Sequence, residues 1–217
     1  MKRKVGMVHA VATHVRLFNE LVSQILPGVD VVHFVDEGLP FLAGEQSRKR
    51  VVRRLGLLAS FAEESGAEVV LLTCTAFGRM VDEVEAAVNV PVLSVLEIII
   101  DETMELGDRI GVLGTHPGTV ESAAQLIREQ ATLHGKKTEV TARLCAGAFE
   151  ALRREDWATH DGIVLKHLKE IMEAVQVVVI PQPSIERVLN QVPESERPVP
   201  ILTSSRLAVE RLKEKLG

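Results

Sequence analysis

Glu68-Val69-Val70-Leu71-Leu72-Thr73-Cys74-Thr75-Ala76-Phe77-Gly78-Arg79-Met80-Val81 aligns without a gap to Gln176 through Leu189, 108 positions later. In both copies four apolar residues precede a polar turn, and Arg79 meets Arg187. The match is flanked by two more. Upstream, Lys4-Val5-Gly6-Met7-Val8 corresponds to Arg109-Ile110-Gly111-Val112-Leu113 at an offset of 105. Downstream, Val84 meets Val192, and Val90-Pro91-Val92-Leu93-Ser94 meets Val199-Pro200-Ile201-Leu202-Thr203 at an offset of 109. Three segments in the same order at nearly constant offset indicate an internal duplication.

Between these segments, short β-branched runs alternate with helical patterns. Strands are expected at Val5–His9, Val29–Val35, Glu68–Thr73, Val92–Val95, Arg109–Gly114, Lys137–Leu144, Gln176–Pro181 and Val199–Thr203. Helices are expected at Glu45–Ser65, Arg79–Ala87, Thr119–His134, Gly162–Ala174 and Ser205–Leu216. The βαβα order predicts parallel sheets covered by helices on both faces, as do continuously apolar strands such as Val177–Ile180. The expectation is an α/β protein of two pseudo-symmetric, doubly wound parallel-sheet lobes with a cleft between them. Residues 1–96 form the first lobe and 97–204 the second, and the terminal helix within 205–217 is a candidate to join the first.

Composition narrows the function classes. A net charge of -5, with Lys and Arg spread along the chain, argues against a nucleic-acid partner. Arg48-Lys49-Arg50 with Arg53-Arg54 reads as a solvated helix face. No apolar run reaches membrane-spanning length, and the basic start Met1-Lys2-Arg3-Lys4 leads straight into a strand, without the apolar core of a signal peptide. Two cysteines 71 positions apart suggest a reducing compartment. The expected location is therefore cytoplasmic, with no membrane partner. Seven histidines form no recognised metal spacing with cysteine, and Gly111-x-x-Gly114-x-x-x-Gly118 lacks the dinucleotide spacing. No metal and no cofactor are expected.

Ligands of open α/β sheets bind beyond the carboxyl ends of the strands. This directs attention to the loops 9–13, 73–77, 114–119 and 181–184. Cys74 ends a buried strand and precedes a helical pattern, so a helix N-terminus is expected to favour its thiolate and lower its pKa. Thr73 and Thr75 flank it as hydrogen-bond donors. Thr73-Cys74-Thr75-Ala76 after an apolar strand resembles the first cysteine motif of the aspartate/glutamate/hydantoin racemase superfamily. The strand order, the repeat and the turn at Gly111-Val112-Leu113-Gly114-Thr115 extend the likeness over nearly the whole chain.

That resemblance implies a cofactor-independent enzyme in which two cysteines, one per lobe, move a proton at the carbon beside a carboxylate. Here the repeat sets Gln182 opposite Cys74, and Gln cannot titrate. A single thiol suits one-base isomerisation, decarboxylation or addition to an activated double bond. The arylmalonate decarboxylase branch of the superfamily also keeps one cysteine, in the other lobe. Catalytic candidates are Cys74 and, as a replacement second base at the end of the first strand, His9. His116, Glu97 and Asp36-Glu37 are weaker ones. Candidates to hold the carboxylate of a small substrate are Thr13, Thr75, Ala76, Thr115, Thr119, Gln182 and Ser184. Cys145 is expected to be small, buried and apolar. The reading is a racemase- or isomerase-like enzyme, with decarboxylase or lyase second. A non-catalytic carboxylate binder is the alternative of another class. A homo-oligomer, a dimer or larger, is the default for such enzymes.

Overall fold

A computed structural model describes residues 2–42 and 45–217. In chain order its elements are β1 (Lys4–His9), α1 (Thr13–Ile25), β2 (Asp30–Val35), α2 (Glu45–Glu64), β3 (Val69–Leu72), α3 (Val81–Glu85), β4 (Val92–Ser94) and α4 (Val95–Leu106). There follow β5 (Arg109–Gly114), α5 (Pro117–Leu133), β6 (Glu139–Leu144), α6 (Ala148–Arg153), α7 (Trp157–Met172), β7 (Val177–Ile180), α8 (Pro183–Glu186), β8 (Ile201–Thr203) and α9 (Ser204–Leu216). The chain divides into two compact units: the residues up to Ile98 together with Ser205–Gly217, and Ile99–Ser204.

Each unit holds a four-stranded, all-parallel sheet, in the order β2-β1-β3-β4 in the first and β6-β5-β7-β8 in the second. The two orders are the same topology, and the strand registers carry the sequence offsets into space. Val5 pairs with Val69 as Ile110 pairs with Val177, and Val70 pairs with Val92 as Val178 pairs with Ile201. A side-chain oxygen also braces the start of the central strand in both units. Glu68 accepts the Lys4 N–H at 3.4 Å, and Gln176 accepts the Arg109 N–H at 3.0 Å.

Alternation along β1 and β3 divides the first unit's core in two. Val8, Val70 and Leu72 pack with Val51, Leu55, Ala59 and Ala62 of α2. On the other face Val5, Met7, Val69 and Leu71 pack with Phe18 and Val22 of α1 and with Ala208, Val209 and Leu212 of α9. The terminal helix thus belongs to the first unit's core. In the second unit Val178 and Ile180 pack with Val164, Leu168 and Ile171 of α7. Gly6 and Gly111 are equivalent and leave room for a helix: a Cβ on Gly6 would sit 2.4 Å from the Ala62 Cβ, and one on Gly111 2.7 Å from the Ile171 Cδ1.

Most boundaries shift by one or two residues from the sequence expectation, and two helices differ by more. The helix expected at Gly162–Ala174 begins at Trp157, because the Asp156 side chain accepts the Thr159 N–H at 3.1 Å and caps it. The helix expected at Arg79–Ala87 is a 3₁₀ segment, Thr75–Met80, followed by the short α3. Within the 3₁₀ segment Gly78 lies so close to the start of α4 that a Cβ would meet the Leu96 Cβ at 2.5 Å. No helix among the described residues is long and apolar enough to cross a membrane.

Candidate functional site

In the first unit the site begins where β1 and β3 end together. Thr73, fully buried, sends both its N–H and its O–H to the Val8 carbonyl, at 3.1 and 3.0 Å. Its Oγ1 also lies 2.8 Å from Nδ1 of His9, which is fully buried at the end of β1. The other nitrogen, Nε2, is 2.8 Å from Nδ1 of His33 on β2, whose own Nε2 is 2.9 Å from Oδ1 of Asn19 on α1. His14 and Phe18 close over the His9 ring, with centroids 6.4 and 5.8 Å away. Burial, reinforced by His33 and His14, pushes the His9 pKa down to about 3, and burial lowers His14 and His33 as well. All three rings are neutral near pH 7.

His9 is expected from the sequence to offer a second base to substrate, and this geometry does not offer it. Both ring nitrogens already have partners, and the ring is fully buried beneath α1. What the sequence does not reveal is His33 and Asn19. Strand alternation puts His9 and His33 on one sheet face only once the register, Met7 opposite His33, is known.

Cys74 follows Thr73, half-buried, as the residue that opens the 3₁₀ segment. The expectation of a lowered thiol pKa is corrected. Burial pushes the Cys74 thiol up, and the Ala76 N–H donated to sulfur offsets this only in part. A 3₁₀ segment of six residues offers a weaker end charge than the α-helix foreseen, so desolvation prevails. Thr75 is buried beside it and Ala76 is exposed. Thr13, exposed, is the first residue of α1.

The equivalent turn of the second unit is held differently. Gln182 Oε1 accepts the N–H of Thr115 at 2.6 Å and of His116 at 3.3 Å, with the Thr115 hydroxyl at 3.5 Å. The carboxamide oxygen thus fills the pair of amides at the end of β5. Gly114 makes room for it, since a Cβ there would lie 2.7 Å from the same oxygen. Thr115 and Gln182 are therefore brought together. Thr119 and Ser184 lie nearby in sequence, half-buried in the first turn of α5 and in α8.

Two of the weaker candidates, Asp36 and Glu37, hold structural contacts. Asp36 is clamped by Nε of Arg54 at 2.5 Å and by its Nη2, and it also accepts the Gly38 N–H at 2.9 Å. Glu37 accepts the Ala12 N–H at 3.3 Å. His116 is exposed and meets the Phe149 ring edge-on at 5.4 Å. Glu97 is half-buried in α4. Cys145 is fully buried, which pushes its thiol up to about 12. Among the described residues no three His, Cys, Asp or Glu side chains are arranged to hold a metal ion.

Comparison with known proteins follows the same outline. A glutamate racemase of Vibrio campbellii is 29% identical over 161 residues, which is 71% of this chain and 58% of the Vibrio protein. The match thus spans little more than half of that relative's length. A crystal structure of glutamate racemase from Francisella tularensis in complex with D-glutamate superposes with a TM-score of 0.72 at 18% identity, over 99% of this chain and 81% of that one. A cysteine-substituted arylmalonate decarboxylase, in a sulfate-associated form, gives a TM-score of 0.64 at 18% identity, over 97% and 93%. These two likenesses show the fold. The family described as Asp/Glu/hydantoin racemase matches residues 7–212, nearly the whole length, and the chain belongs to it.

Proposed function

We propose that the chain is a cofactor-independent enzyme of the racemase and isomerase type, doing acid/base chemistry next to the carboxylate of a small substrate with Cys74 as the proton-carrying group. The observation that carries this reading is that Cys74, after β3, and the non-titrating Gln182, after β7, open equivalent turns of the two units with the same extended backbone. One thiol serves one face of a reacting carbon. With its pKa raised by burial, the thiol holds its proton near neutral pH and is set to give it. In the isomerase reading the minor thiolate fraction of Cys74 takes the proton from the carbon beside the carboxylate, leaving an enediolate, and the S–H bond so formed gives a proton back to that enediolate, its electron pair remaining on sulfur as the thiolate. Thr75, the Ala76 N–H and Thr13 are the groups proposed to hold substrate oxygens in the first unit. Thr115, Thr119, Ser184 and the Gln182 amide N–H are those proposed in the second.

A raised thiol favours a second reading within the same chemistry, a one-thiol decarboxylase or lyase. There the carbanion arises by loss of carbon dioxide, so the protein needs an acid and no base. The test is turnover in deuterium oxide on amino acids, hydantoins, malonates and hydroxy acids, followed by proton NMR, with Cys74→Ala beside the unaltered chain. Deuterium entering at the carbon beside the carboxylate without loss of carbon dioxide supports the isomerase reading. Release of carbon dioxide supports the decarboxylase. Both activities are expected to vanish in Cys74→Ala. Binding of a carboxylate without turnover on any compound would overturn the enzymatic reading in favour of a binding protein.

A further inference from the structure

The chemistry above leaves unused a chain of polar groups, Thr73–His9–His33–Asn19, that runs from the first unit's core to its surface. It can be read proton by proton. With the Asn19 oxygen set against Nε2 of His33, that nitrogen carries the hydrogen. A neutral His33 then has a bare Nδ1, which accepts from Nε2–H of His9. A neutral His9 has a bare Nδ1 in turn, and it accepts the Thr73 hydroxyl, which is shared with the Val8 carbonyl. Each tautomer is fixed by its neighbour. Adding a proton to His33 sets two N–H groups against each other at the His9–His33 contact and breaks the chain there, whereas a proton added to His9 goes to Nδ1 and turns the Thr73 hydroxyl wholly to the Val8 carbonyl.

The chain joins three strands and a helix to the residue immediately before Cys74. Thr73 anchors β3 to β1, His9 anchors Thr73, and His33 on β2 anchors His9. At its far end Asn19 lines a surface groove of about 440 Å³, together with Val22, Ser23, Pro27 and Asp30. The groups that face the two bonded rings are the Thr73 hydroxyl from β3 and, from α1, the His14 imidazole, the Phe18 ring and the Asn19 carboxamide.

We propose that His9 is a positioning residue for Cys74, acting through Thr73 to fix the turn that carries the thiol, with His33 and Asn19 holding His9 in the tautomer that this requires. The proposal rests on the reading of Cys74 as the working thiol. The arrangement explains why an imidazole stands at a fully buried strand end where an aliphatic side chain would cost nothing in desolvation. It also makes the turn responsive to the groove, because His33, half-buried, is the ring of the bonded pair nearer solvent.

The test is the iodoacetamide alkylation rate of Cys74 across pH, located by peptide mass spectrometry, in the full chain and in His9→Leu, Thr73→Val and the double variant. Each single change is expected to alter the rate at fixed pH by about fivefold or more, and the double variant by no more than the larger single one. His33→Leu is expected to move the rate in the same direction, and His33→Gln, which keeps a hydrogen-bonding group, to restore part of it. Val22→Ala, a core change beside the groove, controls for simple loss of stability and is expected to leave the rate within about twofold. A folded His9→Leu protein with the unaltered alkylation profile would overturn the proposal, as would effects that multiply in the double variant. Should the His9 variants fail to fold, nitrogen-15 NMR of the unaltered protein decides. The bonded chain requires both rings neutral with hydrogen on Nε2, and a spectrum with hydrogen on His9 Nδ1 would sink it. Turnover that survives Cys74→Ala would refute the role of the thiol while leaving the NMR result on the chain standing by itself.

Discussion

Gln182 offers its carboxamide oxygen to the Thr115 N–H at 2.6 Å, so the second unit's strand-end turn carries its own hydrogen-bond acceptor. Thr115 is 3% exposed, and nothing from solvent readily replaces that oxygen. Removing it in Gln182→Ala leaves a buried donor without a partner, at a cost of about 1–3 kcal/mol. The urea midpoint is expected to fall accordingly. Gln182→Glu keeps the acceptor and is expected to retain most of the stability near pH 7. Equal losses in both variants would show that the oxygen contributes nothing.

Gly114→Ala tests the same contact from the other side. The added methyl group would lie 2.7 Å from the Gln182 oxygen and 2.6 Å from Cγ2 of Val120. Overpacking of this kind costs about 1–3 kcal/mol. Combined with Gln182→Ala, the penalty is expected to shrink, because one of the two clashes is gone. Thermal unfolding of the four proteins in the cycle measures the coupling.

Gly6→Ala is expected to destabilise the first unit by about 2 kcal/mol or more, since the new Cβ would sit 2.4 Å from the Ala62 Cβ on α2. Gly6→Ala with Ala62→Gly is expected to recover part of that loss. No recovery in the urea midpoint would mean that the helix does not bear on the strand as described.

The buried histidines predict how stability depends on pH. His9 has its pKa lowered to about 3 by burial and by His33 and His14, whereas in the unfolded chain it titrates near 6.5. Between those values the unfolded state binds the proton and the folded state does not, so stability falls as pH falls. The contribution is complete above about pH 6.5 and is lost progressively toward pH 3. For His9 alone the loss by pH 5 is about 2 kcal/mol. Urea midpoints at pH 7.5, 6.0 and 5.0 check it, and His9→Gln is expected to flatten the slope. An unchanged slope in that variant would assign the effect to other groups.

The two parallel sheets were legible because the repeat supplied what single strands lack. The offsets of 105, 108 and 109 carry the pairings of β1, β3 and β4 with one another onto those of β5, β7 and β8. Gln182 was legible as the counterpart of Cys74 for the same reason. The state of the thiol was not. It depends on how deeply the turn is buried and on the close packing of Gly78, within the 3₁₀ segment, against Leu96, and neither is a property of local sequence. His33 escaped notice because the pairing of β2 with β1 has no marker in composition. A histidine in a strand acquires a partner only when the register is set.

Helix α9 enters the first unit's core although the whole second unit separates it from the rest of that core in sequence. On a ribosome this orders the two halves. The uninterrupted unit, Ile99–Ser204, is available to fold as soon as it has emerged. The half that carries Cys74 must wait, its sheet face of Val5, Met7, Val69 and Leu71 uncovered, until Ala208, Val209 and Leu212 have been synthesised. A nascent chain released before α9 has been made would carry that apolar sheet face open to intermolecular contact.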